Sequence, residues 1–354
     1  MSSIGARKTG ESPSAMLPIV KRVLFISVNK YLWCKINKMT DKHGNLSLYD
    51  MSPYYQLFIS LLIILGAGIL LSIIFLFSGL LFFDLKLDIV ENLYTTVDHE
   101  NIGFLRFLMI TQDISLFIIP AIIILTLMKP VEQNRFIDIK LPRGFEVILV
   151  IILVFCIFPI NGFAGQLNEG MHFPDWLSGV EKWMVEKEDN ANHLIDLLID
   201  ADTFSIMILN LIMIALLPAI GEELIFRGVF QKIFYRLMKS DHLAVVVTAF
   251  LFSAIHFQFF GFIPRFILGL VFGYLFLWSG TLWLPVISHF VNNAVPVIGS
   301  YIQGWDKINT LSENSIRDQF MMLPIPIIIS LVILLYFRNS YKKRADNNFD
   351  QSLI

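Results

Sequence analysis

The sequence predicts an all-α protein, a polytopic membrane helix bundle with about eight transmembrane helices, and three observations carry this expectation. Hydrophobic residues make up 56% of the 354 residues, charged residues only 16%, and mean hydropathy is +0.67. Globular chains carry about 25% charged residues, so this chain lacks the polar surface to cover a compact body in water. Eight stretches approach the roughly 20 predominantly apolar residues that a bilayer-crossing helix needs. Lys and Arg are also shared unequally between alternate loops, as the positive-inside rule demands.

The stretches begin with Leu57 to Phe83, which contains no charge, then Phe107 to Met128, Val147 to Phe163 and Phe204 to Ile220. The second half supplies Leu243 to Phe257, Phe262 to Trp278, Leu284 to Tyr301 and Met321 to Phe337. With the N-terminus inside, the inside segments hold 20 Lys and Arg and the outside segments 6, Arg265 alone falling within a span. An integral membrane protein with both termini cytoplasmic is therefore expected, and a bacterial inner membrane is the expected location.

Residues 1–53 form a basic cytoplasmic segment, read as disordered or interfacial. Its stretch from Leu17 to Cys34 is too charged to span and too short in its apolar run for a signal peptide. Met39 and Met51 offer later translation starts. Residues 54–203 hold the first three spans and an acidic outside loop, 204–303 a candidate catalytic core, and 304–354 the last span and a basic cytoplasmic tail. In the outside loop from Gly165 to Asp202, Trp176, Leu177, Val180, Trp183 and Met184 recur at helical spacing, which predicts an interfacial helix. Nine acidic residues from Glu169 to Asp202 against two lysines read as its solvated face.

A net charge of −2 gives no basic excess for a nucleic-acid partner. Cys34 and Cys156 show neither CxxC nor Cys/His spacing, so no disulfide framework or thiolate zinc site is indicated.

An ionisable side chain at bilayer depth is costly unless it is paired or faces a wet cavity, so intramembrane charge marks function by default. Three clusters qualify: Gly221-Glu222-Glu223 with Arg227, Phe252 with His256, and His289 with Asn293. Residues four apart share a helix face while adjacent residues diverge by about 100°. Glu223 therefore pairs with Arg227, and Glu222 points elsewhere, free to act as a general base. His289 and Asn293 offer two donors on one face for a developing oxyanion. If the fourth helix continues to about Arg236, Glu222 and His256 lie at equal depth, roughly 21 Å from the turn between the fourth and fifth helices. His289 reaches that depth only if the turn Trp278 to Trp283 is sunk into the membrane. Taken singly, each cluster also admits a structural role: a buried ion pair, a packed histidine, and polar bridges between helices. Asp113, Arg265 and Asn161 join no such pattern and read as structural partners.

At these residues the sequence resembles the CAAX protease and bacteriocin-processing (CPBP, or Abi) family of intramembrane endopeptidases. Two glutamates followed by arginine fall on Glu222, Glu223 and Arg227, the Phe-xxx-His pattern on Phe252 and His256, and His-xxx-Asn on His289 and Asn293. The resemblance covers roughly Phe204 to Tyr301. It implies peptide-bond hydrolysis in the membrane, with Glu222 and His256 activating a water, His289 and Asn293 stabilising the oxyanion, and Glu223, Arg227 and Phe252 in support. It also implies membrane lipid and a peptide or protein substrate as partners, with lipid-modified substrates included. The family is commonly called metalloprotease while its mechanism is also described as glutamate-dependent and metal-free. If a metal is used, Glu222, His256 and His289 form a two-histidine, one-carboxylate Zn2+ set with water in the fourth position. The HExxH spacing of soluble zinc proteases is absent. A scaffold or bacteriocin-immunity protein that keeps the motifs remains the alternative, and a proton-relaying transporter is disfavoured because no paired broken helices recur in two halves.

Overall fold

A computed structural model describes residues 47–87, 101–128, 141–171, 173–304 and 320–351. The stretch from Leu17 to Cys34 and much of the loops after the first, second and seventh predicted spans lie outside the described residues. Among the described residues the regular structure is helical, with no strand. The longer helices are α1 (Pro53–Phe82), α2 (Ile102–Leu127), α3 (Gly144–Glu169), α4 (Ser178–Ile199) and α5 (Phe204–Met238). They continue with α6 (Asp241–Ala254), α7 (Phe262–Ser279), α8 (Trp283–Gln303) and α9 (Pro324–Gln351).

Each predicted span appears as a helix, and α4 occupies the place of the expected interfacial helix. Six helices are long and apolar enough to cross a membrane: α1, α2, α3, α5, α7 and the Pro324–Tyr341 part of α9. The other two spans depart for physical reasons. Helix α6 is apolar but only 14 residues long, and α8, at 21 residues, is diluted by His289, Asn292 and Asn293.

Several boundaries move. The fourth span does not end at Ile220: α5 is one helix of 35 residues, which carries Glu222, Glu223 and Arg227 into its middle. Arg227 is fully buried, so it is not one of the inside-loop charges. The fifth span stops at Ala254, and Phe257 takes a positive φ of 53°, a conformation that a bulky residue adopts only where a helix has ended. His256 therefore sits in a turn after α6 rather than on it. Helix α3 runs on through Glu169, so the outside loop begins later than Gly165.

Proline explains the irregularity of α5. Pro218 has no N–H to donate to the carbonyl of Ile214, and π-helical turns occupy Leu211–Leu216 just before it. A second π-helical segment, Leu224–Phe230, follows Glu223 at once. Helix α2 repeats the device, with π-helical Ile114–Ile118 ahead of Pro120. The two glutamates thus lie on a short regular turn between two widened ones.

Two apolar cores flank this region. One joins α2, α5 and α6 through Ile124, Met128, Phe226, Val229 and Phe252, with Leu57, Ile63 and Ile64 of α1 packed against it. The other joins α3, α7, α8 and α9 through Leu153, Phe272, Leu275, Leu284 and Phe337. Helix α1 keeps most of its apolar side chains exposed along its length, as a lipid-facing helix does.

Close backbone approach sets the helix spacing. A Cβ at Gly269 would lie 2.9 Å from Ala249 Cα, and one at Gly273 2.8 Å from Val245 Cγ1, so this GxxxG stripe lets α7 seat directly on α6. Gly221 does the same for α2, since its Cβ would lie 2.8 Å from Phe117 Cβ. Gly221→Ala is therefore expected to destabilise the protein by about 1–3 kcal/mol through overpacking, read as a lowered thermal midpoint in detergent. An unchanged midpoint would show that α2 can retreat freely from α5.

Candidate active site

Helix α5 presents Glu222, Glu223, Arg227 and Gln231 into the space between the two cores. Glu223 Oε1 accepts from Arg227 Nη1 at 2.7 Å and from His289 Nδ1 of α8 at 3.0 Å. Both Glu223 and Arg227 are fully buried and His289 nearly so. Arg227 Nη2 donates to the Gly269 carbonyl at 3.0 Å, and Gln231 Nε2, one turn later, to the Gly273 carbonyl at 3.1 Å. Two polar rungs thus tie α5 to the glycine stripe of α7, each satisfying a group that would be costly unpaired at bilayer depth.

Aromatic rings complete the enclosure. The Arg227 guanidinium lies over Phe252 at 4.8 Å and over Phe272 at 5.4 Å from the ring centroids, a desolvated cation–π pairing. His289 stacks on Phe272 at 5.2 Å and meets Phe252 edge-on at 5.8 Å. His256 meets the same Phe252 ring at 5.4 Å. Phe252 is therefore the wall shared by both histidines and the arginine.

The hydrogen bonds fix the tautomers. An ionised Glu223 only accepts, so His289 Nδ1 carries the proton and Nε2 is the ring atom turned to Glu222. His289 Nε2 and Glu222 Oε2 are 3.9 Å apart. That is too long for a direct hydrogen bond and a span that one water bridges. Glu222 is buried, and its Oε2 has no hydrogen-bond partner among the described residues. His256 Nδ1 lies 2.8 Å from the Phe252 carbonyl, which only accepts, so its Nε2 is likewise left as the unprotonated atom.

The structure thus brings together Glu222, Glu223, Arg227, Phe252 and His289, with His256 on the far edge of the aromatic wall. Asn293 is placed differently from the expectation. Its Nδ2 donates to the Ile214 carbonyl at 3.2 Å, and its Oδ1 accepts from Asn292 at 3.0 Å. The carbonyl it caps is the one that Pro218 leaves without its helical donor. His289 and Asn293 are consequently not a free donor pair: one ring nitrogen is committed to Glu223, and one amide N–H to Ile214.

Two residues set aside from the motifs also act here. Asp113 of α2 lies near Glu222, and Arg265 of α7 lies near both Glu222 and His256. Arg265 holds the turn that bears His256, donating to Gln258 Oε1 at 2.6 Å and to the Gln258 carbonyl at 3.2 Å. Asn168, at the end of α3, donates to the Phe259 carbonyl and accepts from the Ile263 N–H, both at 2.9 Å. Helix α4 adds Glu188, which accepts from Gln258, and Trp183, which packs on Phe259. Burial pushes the Glu188 carboxyl up from its ordinary value, with Arg265 opposing. Intramembrane charge was the available signal for Asp113 and Arg265; lacking a motif partner, both were read as structural.

The Zn2+ set does not assemble. Among the described residues, no three His, Cys, Asp or Glu side chains converge to hold a metal ion. Of Glu222, His256 and His289, only Glu222 and His289 come within ion-pair distance, because His256 is turned to its own helix end by the Phe252 carbonyl.

Comparison with known proteins falls on the same segment of chain. Residues 204–295 match the family model described as Rce1-like, type II CAAX prenyl endopeptidase. An uncharacterized protein of Bacillus subtilis (strain 168), YpbD, is 30% identical over 90 residues, covering 24% of this chain and 43% of that relative. The match thus spans less than half the length of the curated relative. No solved structure matches the chain.

Proposed function

We propose that this integral membrane protein, a member of the Rce1-like CAAX endopeptidase family through its residues 204–295, is an intramembrane endopeptidase that cleaves a membrane-associated or exported peptide. The observation that carries this reading is the unpartnered Glu222 Oε2, facing His289 Nε2 across 3.9 Å in a buried site. A water in that gap donates to Glu222 while His289 Nε2 orients it. Glu222 takes the proton as the water oxygen attacks the scissile carbonyl, then returns it to the leaving amine. Glu223 and Arg227 act as positioning residues, fixing the His289 tautomer from behind. The second N–H of Asn293 is the amide donor left for the oxyanion. His256, with an acceptor at Nε2, suits a proton relay rather than oxyanion binding. No step is routed through a metal.

A substrate anchored in the bilayer, lipid-modified or transmembrane, suits a site enclosed by two apolar cores. One observation favours a scaffold or immunity protein instead: Asn293 is engaged in bridging α8 to α5. Comparing protein termini in membranes from cells making the wild type or Glu222→Gln separates the two. The endopeptidase reading expects termini that vanish with Glu222, and identical sets of termini would refute it.

Both termini are proposed to be cytoplasmic, from the excess of Lys and Arg in alternate loops, and a bacterial inner membrane is the proposed location. A reporter fused after Lys343 should then resist periplasmic labelling, and labelling there would reverse the orientation.

A further inference from the structure

The glycine stripe of α7 continues outward into an arginine. Arg265, Gly269 and Gly273 recur every four residues and so share one face of the helix. The rungs from Arg227 to Gly269 and from Gln231 to Gly273 both span 42 residues of chain. Carried one turn outward, that offset brings Arg265 level with Glu223 and beside Glu222. On α6, Gly269 meets Ala249 and Gly273 meets Val245, so antiparallel continuation sets Arg265 against Ser253, one residue short of the end of that helix. The Ser253 hydroxyl on the Phe262 carbonyl, at 2.6 Å, agrees with this register. Where α6 ends and the crossing opens, a guanidinium thus stands in place of a third glycine. We propose that Arg265 is a further catalytic residue, whose N–H groups and fixed charge stabilise the oxyanion formed on the scissile carbonyl. The proposal rests on the endopeptidase reading and deepens it.

The partners of Arg265 leave it able to act. Its two bonds go to the carbonyl and the side-chain oxygen of Gln258, out of a fork of five N–H groups. Both acceptors are neutral, so they orient the guanidinium without cancelling its charge. Glu188 is the carboxylate on that side, and the Gln258 amide, which donates to it at 3.3 Å, stands between the two. Among the described residues no carboxylate comes within ion-pair distance of Arg265. The residue is half-buried rather than sealed. A Cβ at Gly261 would collide with Arg265 Nη1, so the turn is bare where the guanidinium passes. An arginine without an ion pair at bilayer depth is costly, and it marks a functional site rather than a structural one.

The chemistry selects the role. A guanidinium stays charged throughout, so it neither takes nor gives the proton of the reaction. It lies near both Glu222 and His256, where the attacked carbonyl must sit. As the water oxygen bonds to the carbonyl carbon, the C=O π pair moves onto oxygen and the water proton passes to Glu222. Asn293 has one amide N–H for that oxygen, the other being committed to Ile214. Arg265 adds charged donors, which are worth most where negative charge develops in a water-poor site. The electron pair then returns to re-form C=O, the C–N bond breaks, and Glu222 gives its proton to the amine nitrogen.

Two probes test this on the purified full chain in detergent. One is a peptide spanning a Glu222-dependent cleavage site found from membrane termini; the other is its phosphinate isostere, in which a tetrahedral anionic phosphorus replaces the scissile amide. Arg265→Gln should lower kcat about 10²–10³-fold with KM little changed, and weaken phosphinate inhibition by a similar factor. Arg265→Lys, which keeps the charge, should recover part of both losses. Gly261→Ala keeps the arginine but shifts the tip of its side chain, so it should lower kcat and phosphinate affinity together, and it decides the matter if Arg265→Gln is poorly folded. A raised KM with unchanged kcat would make Arg265 a ground-state anchor and overturn the proposal. A lowered kcat with unchanged phosphinate affinity would reduce it to a holder of the His256 turn, which also overturns the proposal. Near-wild-type values of both do the same. Each of these results is read against an active wild type, whereas a wild type that cleaves nothing overturns the endopeptidase reading and this proposal with it.

Discussion

Glu222→Gln is expected to lower the cleavage rate by about 10²–10⁴-fold, the share that a general base contributes, while the thermal midpoint in detergent stays level or rises. The two effects separate because Glu222 is a buried carboxylate whose Oε2 has no hydrogen-bond partner among the described residues. A neutral amide of the same shape removes a desolvated charge from the folded state and removes the atom that accepts the water proton. Loss of both folding and cleavage would instead make Glu222 structural.

Arg227→Ala should do the reverse and act first on folding. The guanidinium satisfies Glu223, donates to the Gly269 carbonyl, and lies over the faces of Phe252 and Phe272. Its removal leaves Glu223 buried with His289 alone and orphans a carbonyl at a close helix crossing. Breaking a buried pair costs about 3–5 kcal/mol, enough to remove most of the folded protein from membranes. Arg227→Lys should lie between, since a single ammonium lacks the planar fork that reaches both partners. Folded yield and thermal midpoint measure this. Normal yield with abolished cleavage would move Arg227 from positioning into the chemistry.

The sequence foretold these contacts unevenly. Glu223 and Arg227 were legible because an i,i+4 pair needs only helix geometry, and α5 supplies it. The same rule placed Glu222 on a different face, and its Oε2 has no hydrogen-bond partner among the described residues. The continuation of the fourth helix past Ile220, to about Arg236, was legible only as the condition for bringing Glu222 and His256 to one depth, and α5 runs on to Met238. What failed lay beyond local periodicity. The end of α6 at Ala254 follows from Phe257 turning left-handed while Asn168, Arg265 and Glu188 hold the next residues, and the first and last of these partners lie many residues away. Asn293 looked like a free donor, because nothing local shows that Pro218 strips the Ile214 carbonyl, although Pro218 itself was visible. The Gly269 and Gly273 stripe and Gln231, one turn past Arg227, were signals left unused, and together they position the cluster through two carbonyls.

The most direct test is isotopic. A substrate identified by its Glu222-dependent terminus, reconstituted with purified protein in liposomes and incubated in H2 18O, should gain one 18O in its new carboxyl group with the wild type. With Glu222→Gln there should be no cleavage above background. Cleavage that persists at the wild-type rate without Glu222, or a product carboxyl that carries no 18O, would contradict water activation by this residue.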